Sequence, residues 1–458
     1  MDPVTFLEGL HRMVWGPWTI VIFLGVGGFF TVKCHFFQFF GISFWWRETA
    51  GSLLTGRKAG EKGRGSRHTV SQFQSVCTAL AATVGTGNIA GVATALTSGG
   101  PGALFWMWIS AFIGMMTAYA ETLLGIRYRY READGGPFIC GPFVYMERGL
   151  HMKGMAAFYS LLCLLCALGM GSMVQANSAA GTLEHTWGIP SLGSGIVITC
   201  LLLLVILGGV GRIGFVAERL VPAASGIYLC FSLVVILSCL DRIPEVFASI
   251  FASALTPRAA AGGAAGYGIS QSIRYGISRG VFSNEAGLGT LAVLHGPAEH
   301  TTPQEQGMWA IFEVFFDTVV LCTLTALVIL CMAGDGLSTA PCQGAALAAW
   351  AFGGRLGRLG EYLVSGSMTV FAFATIMAWF YLGKQAASYL CAGFSARIYP
   401  VLFLAAVFAG SLARPGLVWL LSDLWNGLMA FPNLTALLFL SGEVTLPPGY
   451  LKRKKVSS

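Results

Sequence analysis

The sequence predicts an all-α polytopic membrane protein of eleven transmembrane helices: one leading helix, then two sets of five, the second inverted relative to the first. Three observations predict it. Of the 458 residues, 55% are hydrophobic and only 11% charged, where a soluble domain carries roughly 25% charge. Apolar runs recur at the length of about 20 residues that crosses a hydrocarbon core. Two runs, about 195 residues apart, are interrupted in mid-span by Gly, Ser/Thr and Asn. That pattern belongs to the paired discontinuous helices of inverted-repeat transporters, and a set with an odd number of spans makes the next set run inverted.

The predicted spans are 14–32, 70–98, 102–126, 155–184, 191–210, 214–240, 264–294, 307–333, 361–390, 398–413 and 416–441. The first run, Trp15 to Val32, is preceded by Asp2, Glu8 and Arg12 and followed by Lys33. This reverses the charge order of a signal peptide, so the run reads as a retained anchor. Residues 1–69 thus form the leading helix and a cytoplasmic connection. Within it, Lys33 to His68 sets Phe36, Phe37, Phe39, Phe40, Phe44, Trp45 and Trp46 before a basic Gly-rich stretch, the composition of an interfacial segment lying on lipid. The first five-helix set covers 70–240, with Gly135 to Leu150 forming a short cytoplasmic helix that gates an exit. Residues 241–263 are an extracellular connection, 264–441 the second set, and 442–458 a basic tail.

Lys and Arg mark the cytoplasmic side. Alternating the sides places 20 of the 28 on one of them, including Arg57, Lys58, Arg127, Arg148, Arg212, Arg397 and Lys452 to Lys455. The amino terminus is therefore expected outside and the carboxyl terminus inside. The net charge of +7 sits in these loops, which argues against nucleic-acid binding. Most of the twelve cysteines lie in apolar runs and read as small hydrophobes. Cys163 and Cys166 spell C-x-x-C without a redox context, and no metal-ligand cluster appears.

The interruptions are Thr83-Val-Gly-Thr-Gly-Asn-Ile-Ala-Gly91 in the second span and Arg279-Gly-Val-Phe-Ser-Asn-Glu-Ala-Gly-Leu-Gly-Thr290 in the seventh. Irregular backbone at membrane depth survives only where it lines a cavity or is buried in protein. Unwinding frees N–H groups that suit an anion and carbonyls that suit a cation. Gly85 to Gly91 also matches the dinucleotide fingerprint, but without the strand-to-helix context. Gly87 to Gly91 alone is a helix-packing motif. Asn88 between two glycines, together with the second interruption, favours a site.

The strings Val84-Gly-Thr-Gly-Asn-Ile-Ala-Gly-Val-Ala-Thr-Ala-Leu and Gly99-Gly-Pro-Gly-Ala-Leu-Phe-Trp-Met-Trp108, with Arg279 to Gly287, Tyr119-Ala-Glu121, Asp317-Thr318 and Phe371 to Trp379, resemble the alanine or glycine:cation symporter family almost end to end. The resemblance implies a leucine-transporter-like fold and import of small neutral amino acids with sodium or protons. Carried over by position, it implies that the substrate carboxylate meets the backbone of Thr86 and Gly87 and the amide of Asn88. Gln175 adds a second amide, or an interhelical hydrogen bond. Phe282 and Trp379 close over the side chain, or pack as core. Carbonyls of Ala81 and Val84 with the hydroxyl of Thr375 resemble a cation site, and Thr83 and Asn88 a second one. Members commonly carry a hydroxyl residue where this chain has Ala374, and an acidic and basic pair where it has Lys384-Gln385, which leaves sodium against proton open.

Carboxylates at membrane depth need partners. Glu313 and Asp317, four apart on one helix face, are expected to bond hydroxyls and backbone, with a proton relay as the alternative. Glu285 is expected to pair with Arg279, Glu121 to lie near Arg127 at the inner interface, and His295 and His300 to lie in loops. The function expected is amino-acid:cation symport in a bacterial inner membrane, without covalent chemistry or an organic cofactor. Membrane lipid and a small amino acid are the expected partners. The sequence does not determine an oligomeric state. An uncoupled facilitator on the same fold is the first rival. A polytopic membrane enzyme is the second, but it lacks any H-E-x-x-H or diphosphate motif.

Overall fold

The computed structural model describes residues 3–54, 70–131, 138–255, 264–339 and 342–451. Six helices in it are long and apolar enough to cross a membrane: Thr5–Lys33, Gly102–Tyr128, Lys153–Trp187, Gly209–Leu237, Pro303–Ala333 and Arg358–Leu390. A seventh span is the pair Gln72–Thr83 and Gly87–Gly99, bent by 41°. Ser191–Ile206 and Tyr399–Leu412 are shorter apolar helices. Ala264–Asn284, Thr290–Leu294 and Pro415–Phe439 are also helical. Each predicted stretch is therefore helical, with the interruptions where Gly and Asn placed them.

Local chemistry sets the ends. Ser71 and Gln74 form a reciprocal capping box before Gln72–Thr83, and Thr302 and Glu305 do the same before Pro303–Val314, each satisfying two orphan donors. The Gly102–Tyr128 helix packs along Ala264–Asn284 and Pro303–Val314, while Arg358–Leu390 packs along Lys153–Leu168 and Gln175–Trp187. Trp45, Trp379, Tyr119, Tyr145, Tyr159, Tyr228 and Tyr399 are fully buried.

The connection after Lys33 folds into three short helices, Phe37–Phe40, Ile42–Glu48 and Ala50–Leu54. Phe37 and Trp45 are buried while Phe39, Phe40 and Trp46 are exposed, an amphipathic disposition. The basic stretch at 57–67 and the tail at 452–455 lie outside the described residues. The loop after Tyr128 pairs Tyr130–Arg131 with Phe138–Ile139 in register Tyr130↔Ile139, and Arg129 covers the Phe138 ring at 3.9 Å. It leads into the helix Pro142–Arg148. Burial pushes the thiol of Cys140 in this loop up to about 12. All twelve cysteines are free, Cys163 and Cys166 included.

Two π-helical segments were not expected from sequence: Gly169–Val174 and Phe315–Cys322. Such bulges shift the side chains that follow and often mark functional positions. Here they precede Gln175 and contain Asp317.

Candidate functional site

The first interruption begins where Gln72–Thr83 ends at Val84, whose ψ of 84° leaves the helical range. The chain resumes in a π-turn, Gly87–Gly91, and runs on as Val92–Gly99. Its freed donors are met by amide oxygens: the N–H of Gly85 donates to Asn88 Oδ1 at 2.9 Å and that of Thr86 to Gln175 Oε1 at 3.3 Å. Gln175 is held in turn by its Nε2 donating to the Met170 carbonyl, 3.2 Å. The Thr86 hydroxyl is buried and makes no hydrogen bond. Thr375 donates to the carbonyls of Ala81, 2.8 Å, and Phe371, 3.0 Å. Ala81, Gly85, Thr86, Gln175 and Thr375 are thereby brought together.

The other predicted cation residues face a second group. Thr83 donates to Glu313 Oε1 at 3.1 Å. Asn88 Nδ2 donates to Asp317 Oδ1 at 2.6 Å and to its carbonyl at 3.1 Å. Asp317 Oδ2 also accepts from Ser283, 2.9 Å, and Thr318, 2.8 Å. Asp317 thus ties the two interruptions together. They also touch directly: a Cβ on Gly87 would stand 2.9 Å from Ser283 Cα, so only glycine admits this approach.

The second interruption runs between Asn284 and Thr290. Glu285 sits in left-handed backbone, φ 57°, ahead of Gly287 and Gly289 at φ 91° and 83°. The Gly289 N–H donates to Glu121 Oε2, 3.0 Å. Asn433 Nδ2 donates to the same oxygen and to the Gly287 carbonyl, both 2.9 Å, and Tyr145 donates to Asn433 Oδ1. Tyr159 donates to the Leu288 carbonyl at 2.8 Å.

Two expectations are corrected here. Glu121 is not at the interface beside Arg127; it is fully buried on the second interruption, because an unwound N–H in the bundle needs an acceptor more than a surface arginine does. Arg279 does not pair with Glu285. It makes a two-pronged pair with Asp423, at 3.1 and 2.5 Å, and Glu285 accepts from the Trp379 indole at 2.9 Å. The left-handed turn at Glu285 and the burial of Asp423 explain the exchange of partners. His295 lies in the loop just past Thr290–Leu294, as expected, but it is fully buried there and bonded to Glu313. His300 is exposed in its connection, as expected.

The aromatic residues separate. Trp379 is fully buried and lies where a Cβ on Gly171 would collide with it. Phe282 stacks on Trp419 at 5.1 Å instead, with the Arg279 guanidinium 5.5 Å from the Phe282 ring and 5.2 Å from Trp419. Trp419 lines a cavity of about 470 Å³ that also touches Ala90, Thr94, Asn177, Thr182 and Ala413. It opens beside the second half of the interrupted helix. Sequence reasoning missed Asp423, Trp419 and Asn433, whose partners lie more than a hundred residues away along the chain. It also missed the π-segment Gly169–Val174, where two glycines and Ser172 interrupt an otherwise apolar helix.

Among solved structures, a manganese transporter of Eremococcus coleocola superposes with a TM-score of 0.50 over 78% of this chain and 74% of that one, at 15% identity. That likeness shows the fold. With the long apolar helices it defines a multi-pass α-helical membrane fold. The description "Sodium:alanine symporter family" matches residues 3–456, and the chain belongs to that family, which is one of transporters and not of enzymes. Similar proteins include the sodium/alanine symporter AgcS of Methanococcus maripaludis, 38% identical over 97% of this chain and 96% of that one. The putative sodium/proton-dependent alanine carrier protein YrbD of Bacillus subtilis is 33% identical over 98% and 93%, and the probable sodium/glutamine symporter GlnT of the same organism 33% identical over 97% and 90%.

Proposed function

We propose that this protein imports a small neutral amino acid, alanine or glycine, together with sodium by alternating access. In this reading it has eleven spans in a bacterial inner membrane, with two inverted sets of five, the amino terminus outside and the carboxyl terminus in the cytoplasm. The substrate carboxylate takes the N–H groups of Thr86 and Gly87 and the Asn88 amide at the first interruption, and Gln175 turns aside to admit it. Trp379, fixed by Glu285, limits the side chain. Sodium takes the carbonyls of Ala81 and Val84 and the Thr375 hydroxyl, with Thr83 and Asn88 serving a second position near the carboxylate. Phe282, on the Trp419 stack beside the Arg279–Asp423 pair, closes the way from the cavity above.

The observation that carries this reading is the first interruption itself. The Thr86 N–H, in mid-bundle, is held only by the neutral amide oxygen of Gln175, which a carboxylate replaces with a stronger charge-assisted bond. The names of the sodium/alanine relatives support alanine and sodium. Coupling is energetically worthwhile: a potential of 100 mV supplies about 2.3 kcal/mol per net charge, on the order of fiftyfold accumulation. Proteoliposomes given an inward sodium gradient should accumulate radiolabelled alanine transiently above equilibrium. Simple equilibration, identical in sodium, lithium and choline, would establish an uncoupled facilitator instead.

A further inference from the structure

We infer that Glu313 and Asp317 are the buried counter-charges of the coupling cation, acting as positioning residues through Thr83 and Asn88; this rests on the symport reading above. Both carboxylates are fully buried and stand one helical turn apart. Each lies directly behind a residue of the predicted second cation position: Glu313 accepts from Thr83 and Asp317 from Asn88. Their remaining bonds come from neutral donors. Gln306 Oε1 accepts from Gln72 Nε2 at 3.3 Å and from the Thr301 hydroxyl at 3.2 Å. That leaves Gln306 Nε2 to donate to His295 Nδ1 at 2.6 Å. The ring proton is then on Nε2, aimed at Glu313 Oε2, 2.9 Å away. Asp317 is answered by Asn88, Ser283 and Thr318.

Neither carboxylate has a Lys or Arg partner among the described residues. The buried carboxylate of Asp423 is answered differently, since it meets the Arg279 guanidinium at two points. Charges taken out of water are retained when a partner charge compensates them. At Glu313 and Asp317 the geometry leaves that role to the guest. A zwitterionic amino acid brings no net charge, so the compensating charge is the cation's. By donating its proton to Glu313, Thr83 turns its lone pairs away from that carboxylate, as an oxygen ligand must to face a cation. The buried Thr86 hydroxyl, which has no partner, stands in the same interruption.

The test is sodium-dependent alanine uptake into proteoliposomes, reading the sodium half-saturation and, separately, the alanine KM at saturating sodium. Glu313→Gln keeps the shape and removes the charge. It should raise the sodium half-saturation at least tenfold while leaving the alanine KM within twofold, and Glu313→Asp should recover part of the loss. A sodium half-saturation unchanged within twofold, or equal losses in both constants, would overturn the assignment for Glu313. Where Glu313→Gln does not yield folded protein, Asp317→Asn decides on the sodium half-saturation alone, because Asp317 also holds Asn88 of the carboxylate site: a tenfold rise supports the assignment and a value unchanged within twofold overturns it. If the unmodified protein shows no sodium-stimulated uptake, the symport reading fails and this assignment with it. If sodium stimulates the unmodified protein but the variants keep its sodium half-saturation, only the counter-charge role fails.

Discussion

At the first interruption the N–H groups of Gly85 and Thr86 meet the amide oxygens of Asn88 and Gln175. At the second, the N–H of Gly289 meets the carboxylate of Glu121, and the neighbouring carbonyls of Gly287 and Leu288 meet Asn433 and Tyr159. Both stretches are unwound for the same reason, glycine within an apolar helix, yet they are finished differently. The second has its acceptor built in: the Glu121 carboxyl already occupies the donor, and residues from the Lys153–Leu168 and Pro415–Phe439 helices hold the rest. The first is closed by neutral groups that a charged guest can displace. Unwinding alone therefore does not define a binding site; what fills the freed groups does.

This comparison can be broken by substitution. Glu121→Ala strips the acceptor from Gly289 and Asn433, and leaving buried donors unpaired costs about 3 kcal/mol. The melting temperature should fall by several degrees while folded protein keeps its alanine affinity. Lost affinity at unchanged stability would make the second interruption a binding element. Gly85→Ala sharpens the contrast from the other side. Its Cβ would stand 2.5 Å from the Thr375 hydroxyl and 3.3 Å from Gln175 Oε1, an overpacking worth about 2 kcal/mol. It should weaken alanine and sodium together, and unchanged affinity for both would disconnect Thr375 from the site. Trp379→Ala has the smallest expected effect. It should improve uptake of larger side chains, leucine against alanine, by about fivefold, since a pocket's apolar volume discriminates by about 1 kcal/mol per methylene. Identical selectivity would make Trp379 a packing residue.

Much of this was legible in the sequence because its grammar is local. A helix that crosses lipid must be apolar for its whole length, so a ruler of hydropathy located Gly102–Tyr128 as 102–126 and Tyr399–Leu412 as 398–413. Asn88 between Gly87 and the apolar Ile89 announced an unwound segment. The partners of buried charges were not legible, because they are chosen by packing. Arg279 is six residues from Glu285 yet pairs with Asp423, 144 residues on. Glu121 stands near Arg127 in sequence and bonds Gly289. The π-segment at Phe315–Cys322 also escaped, since an apolar run with one aspartate has the same period whether or not a residue is inserted in the turn. That bulge places Asp317 against both interruptions.

The most direct measurement is equilibrium binding of radiolabelled alanine, in sodium, to purified unmodified protein and to Asn88→Ala. A carboxylate site at the first interruption requires that Asn88→Ala lose measurable alanine binding, roughly hundredfold or more in affinity, for the loss of a charge-assisted bond and its buried partner. Unchanged alanine affinity in a folded Asn88→Ala protein would contradict it.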